Sequence, residues 1–252
     1  MNPPQNPGAE LLIACPSCHT PLRLAAPGMG SLEGSVVWSD GYRFSPLMPV
    51  PPRIYRCPGC GGIAWVNSSP TLGYLLPDTE RTEENAEWFA APPVGILDEA
   101  GLLEALSLAQ EPEAELELRV ASWWRSNDLC RVSPPVTAPP RSDAALENLR
   151  RIVDLTADGD ETLLLFRAEA LRHLGRFDEV AETLQGVYCS DFAPAKSKQL
   201  EWASQKDNRL YKLFEALELG FAEDSEETTE NPPPGDSSGA GSFFPGTLSS
   251  ET

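Results

Sequence analysis

A chain of 252 residues has room for one or two ordinary domains with appendages. Hydrophobic residues make up 41%, enough to fill a core, while 25 Pro and 19 Gly keep long stretches out of regular structure. A net charge of −19 repels phosphate backbones and anionic bilayers, which sets nucleic-acid and membrane-surface roles at a disadvantage.

The opening run MNPPQNPGAELLIAC carries neither basic residues nor a long apolar stretch, so no secretory signal is expected. Nothing along the chain approaches the ~20 apolar residues of a membrane span. A cytoplasmic location is expected, where thiols stay reduced and closely spaced cysteines point to metal before disulfide.

Residues 1–76 hold the β-type patterning: Leu12–Ala14, Leu22–Leu24, Val36–Trp38, Tyr42–Phe44, Ile54–Arg56 and Ile63–Val66, separated by Pro and Gly. Ser39-Asp40-Gly41 between two of these runs is a hairpin signal. Two pairs of cysteines interrupt them, Cys15-Pro16-Ser17-Cys18 and Cys57-Pro58-Gly59-Cys60. Two residues between thiolates let one tight turn aim both sulfurs at a single ion, and two such turns complete a four-thiolate shell for Zn²⁺. Gly61 follows the second pair where a positive φ is often needed, and His19 holds the matching place after the first. The gap of 38 residues between Cys18 and Cys57 is longer than in a compact two-pair site, and the hairpin through Asp40-Gly41 accounts for it as an insertion. Arg23, Arg53 and Arg56 are expected to offset the charge of the thiolates.

Cys15-Pro-Ser-Cys18-His19 also matches a c-type haem attachment pattern, and each pair matches a redox dithiol. Haem attachment leaves Cys57 and Cys60 unexplained, and redox dithiols sit at helix starts beside βαβ patterns, whereas these turns lie between strands. Residues 12–66 resemble a zinc ribbon with rubredoxin-like knuckles, carried by C-P-S-C-H and C-P-G-C-G-G with flanking strands. The resemblance implies a structural zinc on Cys15, Cys18, Cys57 and Cys60, a binding or adaptor role, and no catalysis.

Residues 77–133 carry 13 acidic and 4 basic residues and form an acidic helical connector. Leu102, Leu103, Leu106 and Ala109 recur at helical spacing, and Pro112 opens a second helix with Leu116, Val120, Trp123 and Trp124 on one face. The two indoles are expected to pack in the core. Residues 133–140, SPPVTAPP, form a stiff linker.

Residues 134–221 are the most strongly helical part. Ser142 can cap a helix with Leu146, Leu149 and Val153 inward, and Pro194 opens one or two last helices through about Leu219. Between them, residues 160–174 and 178–186 read as a helical hairpin turning at Gly175. This hairpin is similar to one tetratricopeptide (TPR) repeat, with Leu164, Ala168, Leu171, Gly175, Phe177, Val180 and Leu184 at the matching positions and Arg167 where an apolar residue is usual. The resemblance implies a degenerate TPR-like domain with a concave surface for a protein partner, for which the 11 basic residues of the segment suit an acidic one. The order of ribbon, Trp-Trp helix and terminal hairpin resembles a group of uncharacterised bacterial proteins, which implies no activity.

His173 is expected as a surface or boundary residue, Cys130 and Cys189 as half-buried thiols, and acidic pairs such as Asp98-Glu99 as solvated helix faces. Residues 222–252 carry 7 acidic and no basic residues and read as a disordered acidic tail with Phe243 and Phe244 as its one large apolar pair. The chain thus reads as α+β: a small N-terminal antiparallel β zinc ribbon, a C-terminal all-α TPR-like domain and the tail. The expected function is that of a non-enzymatic zinc-binding scaffold for an unidentified protein partner. The alternative is a ribbon that binds nucleic acid or a transcription or translation complex through the run Arg53-Ile54-Tyr55-Arg56.

Overall fold

The computed structural model describes residues 8–26, 31–48, 50–134, 137–138 and 140–215. The acidic tail, with Phe243 and Phe244, lies outside them. All six strands read from the sequence are present, as β1 (Glu10–Ala14), β2 (Pro21–Ala25), β3 (Val36–Trp38), β4 (Arg43–Phe44), β5 (Ile54–Arg56) and β6 (Ile63–Trp65). A seventh, β7 (Thr71–Leu75), completes an antiparallel sheet of order β2-β1-β7. The central strand β1 is buried on both faces, which is why Leu11, Leu12, Ile13 and Ala14 form an unbroken apolar run. Leu12 faces Leu75 and Ala91, whereas Leu11 and Ile13 face Leu22, Tyr55 and Cys57.

The strands β5 and β6 form a separate antiparallel pair. The segment Pro92–Gly95 lies between the two sheets and bonds to both. Arg23 in β2 donates its N–H to Pro92 O and accepts from Val94 N, at 3.0 and 2.9 Å. Arg56 in β5 and Gly95 exchange both backbone bonds at 2.9 Å. Gly is required there, because a Cβ on Gly95 would stand 2.8 Å from the Arg56 carbonyl oxygen.

The helices are α1 (Ala86–Ala90), α2 (Glu99–Glu104), α3 (Pro112–Ser126), α4 (Asp128–Val132), α5 (Asp143–Leu155), α6 (Glu161–His173), α7 (Phe177–Leu184) and α8 (Ala193–Ser204). Their starts follow local chemistry. Asp98, Ser142 and Asp160 accept from the N–H groups of Gly101, Ala145 and Leu163, and Pro112 sits in the first turn of α3. Helix α6 ends where Gly175 takes a φ of 75°, with Arg176 N bonded to Leu171 O and Gly175 N to Arg172 O, a Schellman turn. The hairpin α6–α7 therefore closes at the glycine the sequence marks.

Helices α3 and α5–α8 share one core around Trp123, Ile152, Ala168, Leu171, Val180 and Leu184. Trp123 is 1% exposed, and Leu116 and Trp124 pack against the same core, as their spacing predicts. The β5–β6 pair docks on α2 and α3, with Ile54 against Leu97, Leu102, Ala105 and Leu118.

The C-terminal end of the helical part departs from the sequence reading. Instead of helix through Leu219, α8 stops at Ser204, Lys206 takes a φ of 53°, and residues Lys212–Glu215 form a strand, β8. It pairs antiparallel with β3, giving a sheet of order β4-β3-β8. The insertion hairpin supplies the exposed edge, Ser39 fixes Tyr211 through both its N–H and its hydroxyl, and Tyr211 stacks on Trp202 at 4.5 Å. Tertiary pairing overrides the local helical pattern here.

His173 is likewise not a surface residue. It is 3% exposed at the last turn of α6, where Trp123 Nε1 and Arg141 Nη2 both reach its Nδ1, at 3.1 and 2.9 Å. Two donors on Nδ1 leave the ring proton on Nε2, which lies 3.3 Å from Glu169 Oε1. Burial pushes His173 down to about 4, against the pull of the Glu169 carboxylate. Glu169 itself is buried but held well below the usual carboxylate range by Arg172 and His173, which outweigh its desolvation. Cys189 is exposed, and Cys130 is buried beside Trp38 and Leu210.

Candidate metal centre

The two cysteine pairs fold into the same backbone turn. In the first, His19 N bonds to Cys15 O and Cys15 N to Thr20 O, at 2.9 and 3.0 Å. In the second, Gly61 N bonds to Cys57 O and Cys57 N to Gly62 O, both at 2.8 Å. His19 and Gly61 take φ values of 60° and 74° at the matching position, so each knuckle reverses through a left-handed residue. Glycine does this at no steric cost, and histidine is among the few other side chains that adopt the region with some frequency.

The knuckles face each other. Cys15 Sγ lies 3.8 Å from Cys60 Sγ, and Cys18 Sγ lies 3.6 Å from Cys57 Sγ. All four sulfurs lie within 4.8 Å of one another. Sulfurs at ~2.3 Å from a tetrahedral ion are about 3.8 Å apart, so the set matches the size of a four-thiolate shell. Four sulfur donors with no oxygen or nitrogen among them suit a borderline or soft cation and not magnesium or calcium. The close approach depends on Gly59, where a Cβ would stand 2.9 Å from the Thr20 hydroxyl of the opposite knuckle.

Each knuckle offers one buried and one exposed sulfur. Cys15 and Cys57 are buried within the ribbon core beside Leu22, Tyr55 and Val94, and Cys18 and Cys60 face solvent. Burial pushes the Cys57 thiol up to about 11, whereas the Thr20 hydroxyl, 3.2 Å from Cys18 Sγ, draws Cys18 down to about 6. Thiolates and not thiols bind metal, so an ion held here would displace the thiol protons.

The three arginines expected beside the thiolates have other partners. Arg23 pairs with Glu10 at 3.1 Å, Arg53 with Glu117 at 2.9 Å and Arg56 with Glu104 at 2.7 Å. Arg56 alone also touches the site, donating to Gly61 O at 3.1 Å. Arg53 and Arg56 thus join the ribbon to α3 and α2, and between them Ile54 and Tyr55 are buried.

Among the described residues the four cysteines are the one group of this kind that brings metal-ligating side chains together; Cys130 and Cys189 stand apart from it. Sequence reasoning named all four of the clustered cysteines and both left-handed residues. It missed Tyr55, whose hydroxyl bonds Ser69 at 2.8 Å behind the buried sulfurs, and the Pro92–Gly95 joint. The run Pro92-Pro93-Val94-Gly95, extended by its prolines and ending in glycine, was the signal for the latter. No described helix is long and apolar enough to cross a membrane. Compared with protein families, curated proteins and solved structures, the chain matches none.

Proposed function

We propose that the chain is a non-enzymatic zinc protein in which Zn²⁺ on Cys15, Cys18, Cys57 and Cys60 holds a ribbon, and a TPR-like helical part receives a protein partner. The observation that carries this reading is the closed donor set. Four cysteine sulfurs fill a tetrahedral shell and leave no position for substrate, which is the pattern of structural and not catalytic zinc. The ion contributes folding free energy to the small β unit.

The hairpin α6–α7 supports the scaffold half of the reading. Ala168, Leu171, Val180 and Leu184 are fully buried at the positions expected of a TPR-like pair, while Arg167 uses its guanidinium to reach the Val153 carbonyl. The cleft between β3, β8 and helices α6 and α8 is about 40 Å³ and is lined by Val37, Leu165, Phe166, Gln199, Leu213 and Phe214 among others, with no ionisable side chain. It fits an apolar group and offers no general acid or base.

An acidic partner for the basic residues of this part has competitors within the chain. Arg150, Arg151, Arg172, Arg176, Lys198 and Arg209 all pair with carboxylates of the same chain. The most exposed large apolar side chains among the described residues are Leu129 and Val132 on α4, 84% and 86% exposed, and Tyr188, 83% exposed. Affinity capture with the full chain should recover a specific protein, and Tyr188→Ser, within the TPR-like part, should abolish its recovery while leaving metal content intact. Recovery of nucleic acid alone, lost on Arg53→Ala with Arg56→Ala, would overturn the scaffold reading.

A further inference from the structure

We propose that metal occupancy is coupled to the order of the helical connector, with Pro92–Gly95 and Arg56 as the link, so that the chain reports metal binding at α2. This rests on the reading of the four sulfurs as a metal site. The two knuckle hairpins, β1–β2 and β5–β6, belong to different sheets and share no strand pairing. Besides a shared apolar core and the bond from Ala14 N to Pro70 O at 2.8 Å, they are spanned by the sulfur cluster on one side and Pro92–Gly95 on the other. Val94 packs in the same core as Cys15 and Cys57, directly beneath the knuckles.

The link to the helices is short. Gly95 N and O bond to Arg56, Leu97 packs against Ile54, and Asp98 caps α2 through Gly101 N at 2.8 Å. The Arg56 side chain runs in parallel, with Nη1 on the Gly61 carbonyl of the second knuckle and Nη2 on Glu104 of α2, at 3.1 and 2.7 Å. A metal that ties the sulfurs fixes the distance between the arms that Pro92–Gly95 bridges. With the ion removed, the arms keep their shared apolar core, the Ala14 N–Pro70 O bond and this segment's own bonds, and the segment loosens together with α2.

Coupling of this kind is reciprocal, so weakening the link must weaken the metal. Gly95→Ala places a Cβ against the Arg56 carbonyl without touching a sulfur. Amide hydrogen exchange of the full chain, loaded with zinc and then stripped with chelator, reads the first arm, and competition of the Gly95→Ala variant against a chelator reads the second. Stripping should raise exchange at residues 92–106 at least tenfold while leaving residues 161–184 unchanged. Gly95→Ala should weaken zinc retention by roughly fivefold or more, the lower end of ordinary coupling. Unchanged exchange at 92–106 in a chain that demonstrably gains and loses zinc overturns the coupling alone. So does an equal rise in both regions, which is global unfolding, or wild-type retention in Gly95→Ala. A chain that takes up no zinc overturns the metal reading and the coupling with it.

Discussion

His19 and Gly61 occupy the same place in two copies of one turn, yet only one of them is a glycine. The left-handed region costs an ordinary L-residue roughly 1–2 kcal/mol, and a Cβ on Gly61 meets no neighbour within 4 Å, so strain is the whole effect of an alanine there. Gly61→Ala should lower stability to denaturant by about 1 kcal/mol in the zinc-loaded chain, and His19→Gly should not lower it. Equal losses in both would show that the knuckles are not set by backbone conformation. Asp40 stands at the tip of the insertion hairpin. It is fully buried and holds Arg131, Asn127 at 2.8 Å and Tyr42 N at 3.1 Å, with Glu169 also contributing from α6. Burial outweighs these partners and raises it from 3.8 to about 6. A raised carboxyl binds its proton more readily in the folded state, so this group adds stability as pH falls from about 6 towards 4. His173, depressed to about 4, has the opposite sign and loses stability as pH falls from about 6.5. Asp40→Asn should therefore lose stability more steeply than wild type between pH 6 and 4, measured as the slope of unfolding free energy. A slope that matches wild type would contradict the raised carboxyl.

At the scale of elements, what the sequence made legible is what local chemistry decides. Strands β1–β6 are bounded by Pro and Gly, the knuckle turns are fixed by their cysteines, and α6 ends at the glycine its left-handed turn demands. What stayed hidden depends on distant partners. Strand β8 exists because β3 offers an edge contributed by an insertion more than 170 residues earlier in the chain, with a hydrogen bond from Tyr211 N to Ser39 across that separation. His173 is buried because Trp123 and Arg141 converge on it from other elements, which its neighbours in sequence do not announce. The same distinction predicts what truncation does. Residues 222–252 carry 7 acidic and no basic residues, with Phe243 and Phe244 as their one large apolar pair, and ending the chain after Phe221 should leave the melting temperature nearly unchanged. Ending it after Leu210 also removes β8 and the ring stacked on Trp202, and should destabilise the chain by at least about 2 kcal/mol. Equal melting temperatures for the two would show that β8 contributes nothing.

For the molecule as a whole, the ribbon and the helices are tied together at several points. Ile54 enters the α2–α3 core, Arg53 and Arg56 pair with Glu117 and Glu104, and the insertion hairpin buries Asp40 against α3 and α4. Charge follows the same pattern: in a chain with a net charge of −19, most arginines pair with carboxylates of the same chain. The four-cysteine centre sits where the first strands meet those attachments, so the account depends most on its being a closed zinc site. Zinc-edge X-ray absorption on the full chain purified without chelator, together with elemental analysis, tests this most directly. The account predicts one zinc per chain with four sulfur neighbours at ~2.3 Å; a chain without metal, or a zinc shell containing oxygen or nitrogen in place of any of the four sulfurs, would contradict it.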